Sequence, residues 1–255
     1  MQPLSARALG LLFHLGLLAS LLAIILVVSK RESPAGTYQT TVSAFRVHSR
    51  KARPPMRNPA VRRAVAGSFT GIPQRGALLG DSDAPVTMRF LADPECPQAR
   101  QFAIQLLPQL VRHWVRSGKL RIEYVGEPAE TIWPEIFKRQ QLAVLAAGRQ
   151  GRLWQYLEFF YRYQGPEFTR YASNRFLGAL AREAGLNARK WKADRRTTKL
   201  VLHVIRGVEF AQAQGISATP AFLIGPTGGR LMPLVHFTLT EPLAFEEEFR
   251  EALAG

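Results

Sequence analysis

One cysteine and its neighbours carry the most pointed chemistry in this sequence. Cys96 is the only cysteine among 255 residues, and Pro97, Gln98 and Ala99 follow it. Proline directly after a residue is typical of a first helical turn, so the pattern predicts that Cys96 lies at a helix N-terminus. Unpaired backbone N–H groups and the positive end of the helix dipole favour a thiolate there. A thiolate attacks a disulfide sulfur and forms a mixed disulfide.

The cysteine count limits what that chemistry can be. A single cysteine forms neither a disulfide nor a dithiol redox couple within one chain, and it excludes a Cys-rich zinc site. A thiol from outside the chain, on the substrate or on a small molecule, would have to release anything bound to Cys96. An inert apolar residue is the other interpretation of a lone cysteine. No metal site is expected, because His48, His113, His203 and His236 lie far apart.

The residues around Cys96 predict the elements that would position it. The apolar, β-branched stretch 86–92 predicts a strand, and Asp93-Pro94-Glu95 ends it. A helix with a periodic apolar face follows Cys96, and Pro108 is expected to kink it. Residues 120–125 predict a second strand. A strand–helix–strand unit of this length implies two parallel strands.

The second half of the chain predicts a helical block and then a return to strands. Residues from about 129 to 214 have helical periodicity almost throughout. Strands are predicted at 221–224 and near 230–235, with a glycine-rich turn between them, and a terminal helix near 241–253. The turn lacks the lysine of a phosphate-binding loop, so it is interpreted as a hairpin turn.

In this order of elements the sequence resembles the DsbA-like branch of the thioredoxin superfamily. The resemblance covers about residues 79–255, and it implies one DsbA-like thioredoxin domain at residues 80–255. Its marks are Gly80 followed by Ala84-Pro85-Val86, Asp93-x-x-Cys96-Pro97, the helical insertion, and Gly215-Ile216-x-Ala218-Thr219-Pro220-Ala221-Phe222. It implies an α/β, thioredoxin-like fold with an inserted helical domain at about 129–214. It also implies that the Thr219–Pro220 bond is cis, lies against Cys96 and contributes to substrate binding.

Two departures from the family pattern qualify that function. The family motif is Cys-x-x-Cys, and Ala99 stands in place of the second cysteine. Many members carry a glutamate six residues before the first cysteine, and that position is Phe90 here. The resemblance therefore implies a catalytic Cys96 that acts alone within the motif Pro97, Gln98 and Ala99. It would exchange or isomerise disulfides of protein substrates without a cofactor, with a low-molecular-weight thiol as a further candidate partner. The alternative is a redox-inactive thioredoxin-like module that binds polypeptide.

The N-terminal region predicts a membrane anchor and a linker. The 22 residues between Arg7 and Lys30 include no Asp, Glu, Lys or Arg, and about 20 helical residues span a bilayer core. We interpret residues 1–29 as a transmembrane anchor. Residues 30–79, basic and interrupted by prolines, are interpreted as a linker. This linker could bind anionic lipid headgroups or simply extend into solvent, and the sequence favours neither.

The distribution of charge bears on partners and location. The net charge is +15, and 47% of the residues are apolar, enough to bury a core. Residues 1–79 hold 11 of the 34 Lys and Arg residues but one of the 19 acids. Because that charge lies in the tail without a recognisable motif, no nucleic-acid partner is expected. The positive-inside rule alone favours a cytoplasmic domain, whereas the resemblance implies an extracytoplasmic one. We predict a single-pass membrane protein with its domain outside the cytoplasm.

Overall fold

The computed structural model describes residues 58–129, 131–234 and 249–251. The predicted anchor at 1–29 and the linker up to residue 57 lie outside the described residues. So does the predicted terminal helix near 241–253, apart from residues 249–251, which are helical. In the part of the chain that is described, no helix combines the length and the apolar composition needed to cross a membrane.

A mixed sheet organises the fold. Within the described residues it has six strands: β1 (Gln74–Arg75), β2 (Leu78–Leu79), β3 (Val86–Ala92), β4 (Leu120–Gly126), β5 (Ala221–Pro226) and β6 (Met232–Pro233). Their order across the sheet is β1-β2-β4-β3-β5-β6. Strands β3 and β4 are parallel, as the sequence predicted, and every other neighbouring pair is antiparallel. The central strand β3 is buried except at Arg89, which explains its nearly continuous apolar sequence.

Residues 58–79 belong to the fold, so the prediction of a linker up to residue 79 is wrong for this segment. Helix α1 (Pro59–Phe69) begins after Asn58, whose Oδ1 accepts the backbone N–H of Ala60 at 2.9 Å. Pro59 was interpreted as an interruption, but at the first helical position its missing N–H costs nothing. The hairpin of β1 and β2 has two-residue strands, which are too short to produce a periodic pattern.

A long helical run, α2, follows Cys96. It consists of four consecutive segments that alternate α and π geometry: Pro97–Gln101, Phe102–Leu106, Leu107–Leu110 and Val111–Val115. In the first π segment the N–H of Leu107 bonds to the carbonyl of Phe102, five residues back. Pro108 comes next and has no N–H to donate. The sequence predicts a kink at Pro108, and the structure has a π segment that ends two residues before the proline.

The helical block predicted at 129–214 is confirmed, although its first helix begins only at Pro134. Its members are α3 (Pro134–Gly148), α4 (Leu153–Arg162), α5 (Asn174–Glu183), α6 (Ala188–Asp194) and α7 (Thr198–Ala213). Helix α4 is buried along most of its length, including Trp154, Phe160 and Tyr161. The residues before Pro134 form a loop instead of a helical turn, and that loop reaches the neighbourhood of Cys96.

The two faces of the sheet differ in polarity. On one face Met88 and Phe90 of β3 lie beside Ile122 and Tyr124 of β4 and join the main core. On the other face Leu91 of β3 and Leu223 of β5 form a small cluster with Ala211 of α7. Next to it Arg89 pairs with Glu123 at 2.8 Å. The apolar face is the one that supports α2, and therefore the cysteine at its start.

Candidate active site

Cys96 occupies the N-cap position of α2, as the sequence predicted. Its backbone is extended, with φ −69° and ψ 122°, and its Sγ accepts the backbone N–H of Ala99 at 3.4 Å. An N–H donor aimed at sulfur favours negative charge on it. Ala99, which replaces the second cysteine of the motif, is fully buried and contributes this N–H. The backbone of Ala99 thus bonds to the sulfur of Cys96, whereas the side chain of Ala99 provides no second thiol.

The Thr219–Pro220 segment lies directly against the cysteine. The Thr219–Pro220 peptide bond is cis, and the carbonyl oxygen of Thr219 is 3.1 Å from the Sγ of Cys96. At this distance the thiol donates its proton to the carbonyl or to Oε1 of Gln98, which is 3.3 Å from the same sulfur. The structure therefore brings together the motif residue Gln98, Thr219 and Cys96, although they are separated by up to 123 positions in sequence.

Cys96 is fully buried, with none of its surface exposed. Gln98 is exposed and approaches the sulfur, so its side chain forms part of the cover. A cavity of about 500 Å³ adjoins this cover and is lined by Gln98, Ile216, Pro220, Phe222 and Leu234 among others, but not by Cys96. Gln98 thus both lines the cavity and lies 3.3 Å from the sulfur.

One side of the site is an aromatic cluster centred on Phe90. Its ring is 4.6 Å from that of Phe102 and stacks on Phe222 with centroids 5.5 Å apart. Phe90 is fully buried. Its position is the one where many family members carry a glutamate, so in this chain an apolar cluster takes the place of a buried carboxylate. On the core-facing side of β3 the residues, including Met88 and Phe90, are uncharged, and the charged Arg89 lies on the opposite face.

The other side of the site is polar and is built on the turn between β3 and α2. Asp93 is fully buried. Its Oδ1 accepts the backbone N–H of Glu95 at 2.9 Å and the hydroxyl of Thr131 at 2.7 Å. Its Oδ2 accepts the backbone N–H of Thr131 at 2.7 Å. Through these three hydrogen bonds Asp93 fixes both the turn and the loop that precedes α3.

Glu95, the residue immediately before the cysteine, is buried with far fewer partners. Gln140 of α3 donates its amide N–H to Oε1 at 2.7 Å, whereas Oε2 has no hydrogen-bond partner among the described residues. Burial, and then the negative charge of Asp93, raise the pKa of Glu95 from about 4.5 to about 7, against the opposing hydrogen bond from Gln140. A carboxyl group that exchanges its proton near neutral pH therefore lies one residue from the thiol.

The helical insertion is tied to the start of α2 by two side chains. The amide of Gln164 donates to the carbonyls of Pro94 at 2.9 Å and Cys96 at 3.2 Å. Arg100 on α2 donates in return to the carbonyl of Tyr161 at 2.9 Å. These bonds fix the backbone on both sides of the cysteine to the segment that ends α4.

Comparison with known proteins assigns the chain to a family. A family model described as Thioredoxin matches residues 74–228, which is more than half of the chain. This chain belongs to the thioredoxin family. The match begins at β1, in agreement with the finding that residues 74–79 are part of the folded domain.

Individual relatives of this thioredoxin-family chain are distant. The probable disulfide bond formation protein D of Bacillus anthracis is 22% identical over 154 residues, which are 57% of this chain and 68% of the relative. Oxidised BdbD from Bacillus subtilis has a TM-score of 0.60 at 17% identity, over 72% of this chain and 98% of that one. The alpha-DsbA1 protein of Wolbachia pipientis has a TM-score of 0.58 at 16% identity, over 72% and 92%. At these identities the structural likeness concerns the fold, and it confirms the predicted DsbA-like, thioredoxin-like architecture.

The site contains residues that the sequence did not single out. Thr131 and Gln140 reach Asp93 and Glu95 from 38 and 45 positions away, and no local pattern predicts such pairings. The sequence did contain one indication of this polar network, because the acidic residues Asp93 and Glu95 lie directly between a buried strand and the cysteine. The predicted catalytic role of Cys96 stays a prediction. So do the predicted roles of the motif residues Pro97, Gln98 and Ala99 and of the substrate-binding residues Thr219 and Pro220. Within the described residues no cluster of three or more His, Cys, Asp or Glu side chains could hold a metal ion.

Proposed function

We propose that this chain is a thiol–disulfide oxidoreductase that works through Cys96 alone and exchanges or isomerises disulfides in protein substrates. The observation that supports this most directly is the position of the sulfur. It caps a helix, accepts an N–H bond from Ala99, and lies 3.1 Å from the carbonyl that precedes a cis proline. The family membership and the name of the Bacillus anthracis relative point to the same chemistry.

The reaction that one thiol can complete unaided is isomerisation. The thiolate of Cys96 attacks one sulfur of a substrate disulfide, a new S–S bond forms, and the other substrate sulfur leaves as a thiolate. A second thiolate of the substrate then attacks the substrate sulfur of the mixed disulfide and releases Cys96 as a thiolate. One disulfide is broken and one is formed, so no electrons are gained or lost. Net oxidation or reduction would need a low-molecular-weight disulfide or thiol as co-reactant.

The cavity beside Gln98 and Pro220 is the proposed binding site for the substrate. It is open at the surface and has an apolar floor that includes Phe222 and Leu234. An extended polypeptide that entered it could form backbone hydrogen bonds with the 216–220 segment, as strands do when they add to a sheet edge. To reach the sulfur, the substrate must displace the side chain of Gln98, which is exposed and therefore free to change rotamer at little cost.

The location follows the sequence argument and is proposed on that basis. The uncharged stretch after Arg7 would anchor the protein in a membrane with residues 30–255 outside the cytoplasm, where disulfides persist. A reporter fused after Gly255 tests this placement. Activity of a reporter that works only outside the cytoplasm is expected. Activity of a cytoplasmic reporter alone would reverse the orientation and leave the anchor in place.

The decisive experiment measures adduct formation on the native protein. The full chain, purified in neutral detergent, is incubated with glutathione disulfide and its intact mass is recorded, with Cys96→Ser as the blank. We expect one glutathione per chain, bound to Cys96, and release of the adduct by added thiol. Modification only after denaturation would show that the sulfur is structural, and the polypeptide-binding alternative would replace the enzyme.

A second variant tests whether the loss of one residue explains the monothiol site. Ala99→Cys places a thiol one helical turn from Cys96, the spacing of the family motif. We expect the oxidised variant to lose both thiols and the reduced variant to regain them in a redox titration. Retention of two thiols after oxidation would show that the helix start no longer allows a dithiol couple.

A further inference from the structure

A basic cleft lies in the helical insertion and has no part in the proposed thiol chemistry. It has a volume of about 500 Å³ and is formed by α3, α5, α6 and the two residues that follow α6. Five of its lining residues are cationic: Lys138, Arg139, Lys192, Arg195 and Arg196. We refer to the space between these five side chains as the basic cleft. Its size is within the range of pockets that bind small molecules.

The cations of the basic cleft are not neutralised by neighbouring acids. Among the described residues, none of the five forms an ion pair. The acid that lines the cleft, Glu135, pairs with Arg170 at 3.1 Å. The nearby Asp194 already pairs with Arg149 and Lys190, each at 3.0 Å. Five positive charges therefore face one cleft while both adjacent carboxylates have other partners.

Arg195 is the most constrained of the five. Its guanidinium lies 4.6 Å from the ring centroid of the buried Trp191, and its Nη2 donates to Oδ1 of Asn174 at 2.9 Å. Its Nε is buried and has no hydrogen-bond partner among the described residues. Burial lowers the pKa of Arg195, and the charges of Arg139 and Arg196 lower it further against an opposing contribution from Tyr156. A half-buried cation held in place beside like charges favours the arrival of an anion.

We propose that the basic cleft binds a ligand through a phosphate group. Three guanidinium groups can bind a tetrahedral oxyanion bidentately, and two lysines can add point charges. A phosphate that carries up to two negative charges matches this set better than a single carboxylate does. Glu135 and Asn174 lie in the first turns of α3 and α5, so two helix dipoles add to the positive potential. The phosphate belongs either to a soluble phosphorylated compound or to an anionic phospholipid headgroup.

The test is a lysine footprint of the full chain, and its two arms distinguish the two sources of phosphate. Lysines are acetylated and quantified by mass spectrometry, with the exposed Lys199 outside the cleft as internal reference. In the first arm the protein is in neutral detergent with millimolar pyrophosphate. In the second arm it is in nanodiscs of phosphatidylcholine with or without phosphatidylglycerol. We expect labelling of Lys138 and Lys192 to fall at least threefold in one arm or both, while Lys199 changes little.

Matched variants make the footprint specific to the cleft. Arg139→Gln combined with Arg196→Gln should abolish the protection of Lys138 and Lys192, and Arg196→Gln alone should weaken it. Arg182→Gln combined with Arg189→Gln removes two exposed charges outside the lining and should preserve it. A circular dichroism melt of each variant shows that it is folded.

Three results would overturn the proposal. One is the absence of protection in both arms. The second is equal protection of Lys199, or full protection in the Arg139→Gln, Arg196→Gln variant, because either would show nonspecific charge screening. The third is protection by a polyglutamate peptide but not by phosphate, which would assign the cleft to an acidic polypeptide.

Discussion

The two sides of Cys96 are built on opposite principles. On the strand side the aromatic rings of Phe90, Phe102 and Phe222 pack together. On the turn side Asp93 and Glu95 are buried carboxyl groups that depend on hydrogen bonds from distant residues. The carboxyl group of this site thus lies in the turn just before the cysteine and not on the strand beneath it. The aromatic side therefore contributes packing, whereas the turn side contributes a carboxyl group that titrates near neutral pH.

The largest expected effect is on the aromatic side. Phe90→Ala removes a fully buried ring that contacts three others and leaves a cavity. The free energy of unfolding should therefore fall by about 3–5 kcal/mol. Urea denaturation of the full chain in neutral detergent measures this change. Phe168→Ala is the matched control, because Phe168 is 59% exposed and its loss should change stability by about 0.5 kcal/mol or less. Equal losses in the two variants would contradict a core role for Phe90.

The next effect concerns the polar side and depends on pH. The pKa of Glu95 is raised from about 4.5 in the unfolded chain to about 7 in the folded one, so the native state holds the proton more tightly. The stability that this provides is complete below about pH 4.5 and is lost as the pH rises through 7. Above pH 7 the charged carboxylate should therefore cost on the order of 3 kcal/mol in the wild-type protein.

Glu95→Gln tests the direction of this pH dependence of stability, because the amide is the neutral counterpart of the protonated acid. We expect the variant to gain stability relative to the wild type as the pH rises from 5 to 8, measured by urea denaturation at each pH. Glu135→Gln, at an exposed position, should show no such trend. A gain for Glu95→Gln at low pH that disappears at high pH would mean that Glu95 is ionised and stabilised in the folded protein.

A smaller effect is expected from the loop that supports Asp93. Thr131→Val keeps the shape of the side chain and removes the hydroxyl that donates to Oδ1 of Asp93. A lost hydrogen bond to a buried charge should cost about 1.5–3 kcal/mol. Thr198→Val, at an exposed position on α7, is the control and should be nearly neutral. The comparison of the two sides of the site would weaken if both valine variants behaved alike.

The smallest effect is on access to the sulfur. Gln98→Ala removes an amide that covers Cys96 and lies 3.3 Å from its Sγ. Loss of one contact worth about 1 kcal/mol should raise the rate of alkylation by iodoacetamide roughly fivefold at fixed pH. Gln212→Ala, on the surface of α7, should leave the rate unchanged. A rate that does not respond to Gln98→Ala would show that other atoms close the site.

Local sequence features predicted the parts of the fold that depend on local physics. The apolar stretch of β3, the proline after Cys96 and the periodicity of the helical insertion each determine their element without help from distant residues. The contact between Thr219 and Cys96 was predicted only through the resemblance to a family. No local sequence feature near either residue requires this contact, because the order of the strands in the sheet brings the two residues together.

The features that sequence reasoning missed depend on distant partners or on very short elements. Pro59 begins a helix that Asn58 caps, but the same proline among basic residues is also typical of a linker. The burial of Glu95 depends on Gln140, which lies on α3, and a local pattern cannot reveal that partner. The sequence also does not specify the rotamer that places Oε1 of Gln98 3.3 Å from the sulfur.

The hairpin of β1 and β2 limits where the N-terminus of a truncated domain can be placed. Strand β2 pairs with β4 at Leu78 and Leu79, and the carbonyl of Ala77 accepts the N–H of Tyr124. A fragment that began at Gly80 would leave the outer edge of β4 with unpaired backbone groups beside apolar side chains. Such edges template the pairing of one chain with another and lead to aggregation. Residues 74–79, which the sequence analysis assigned to a linker, therefore protect the edge of β4 from pairing with another molecule.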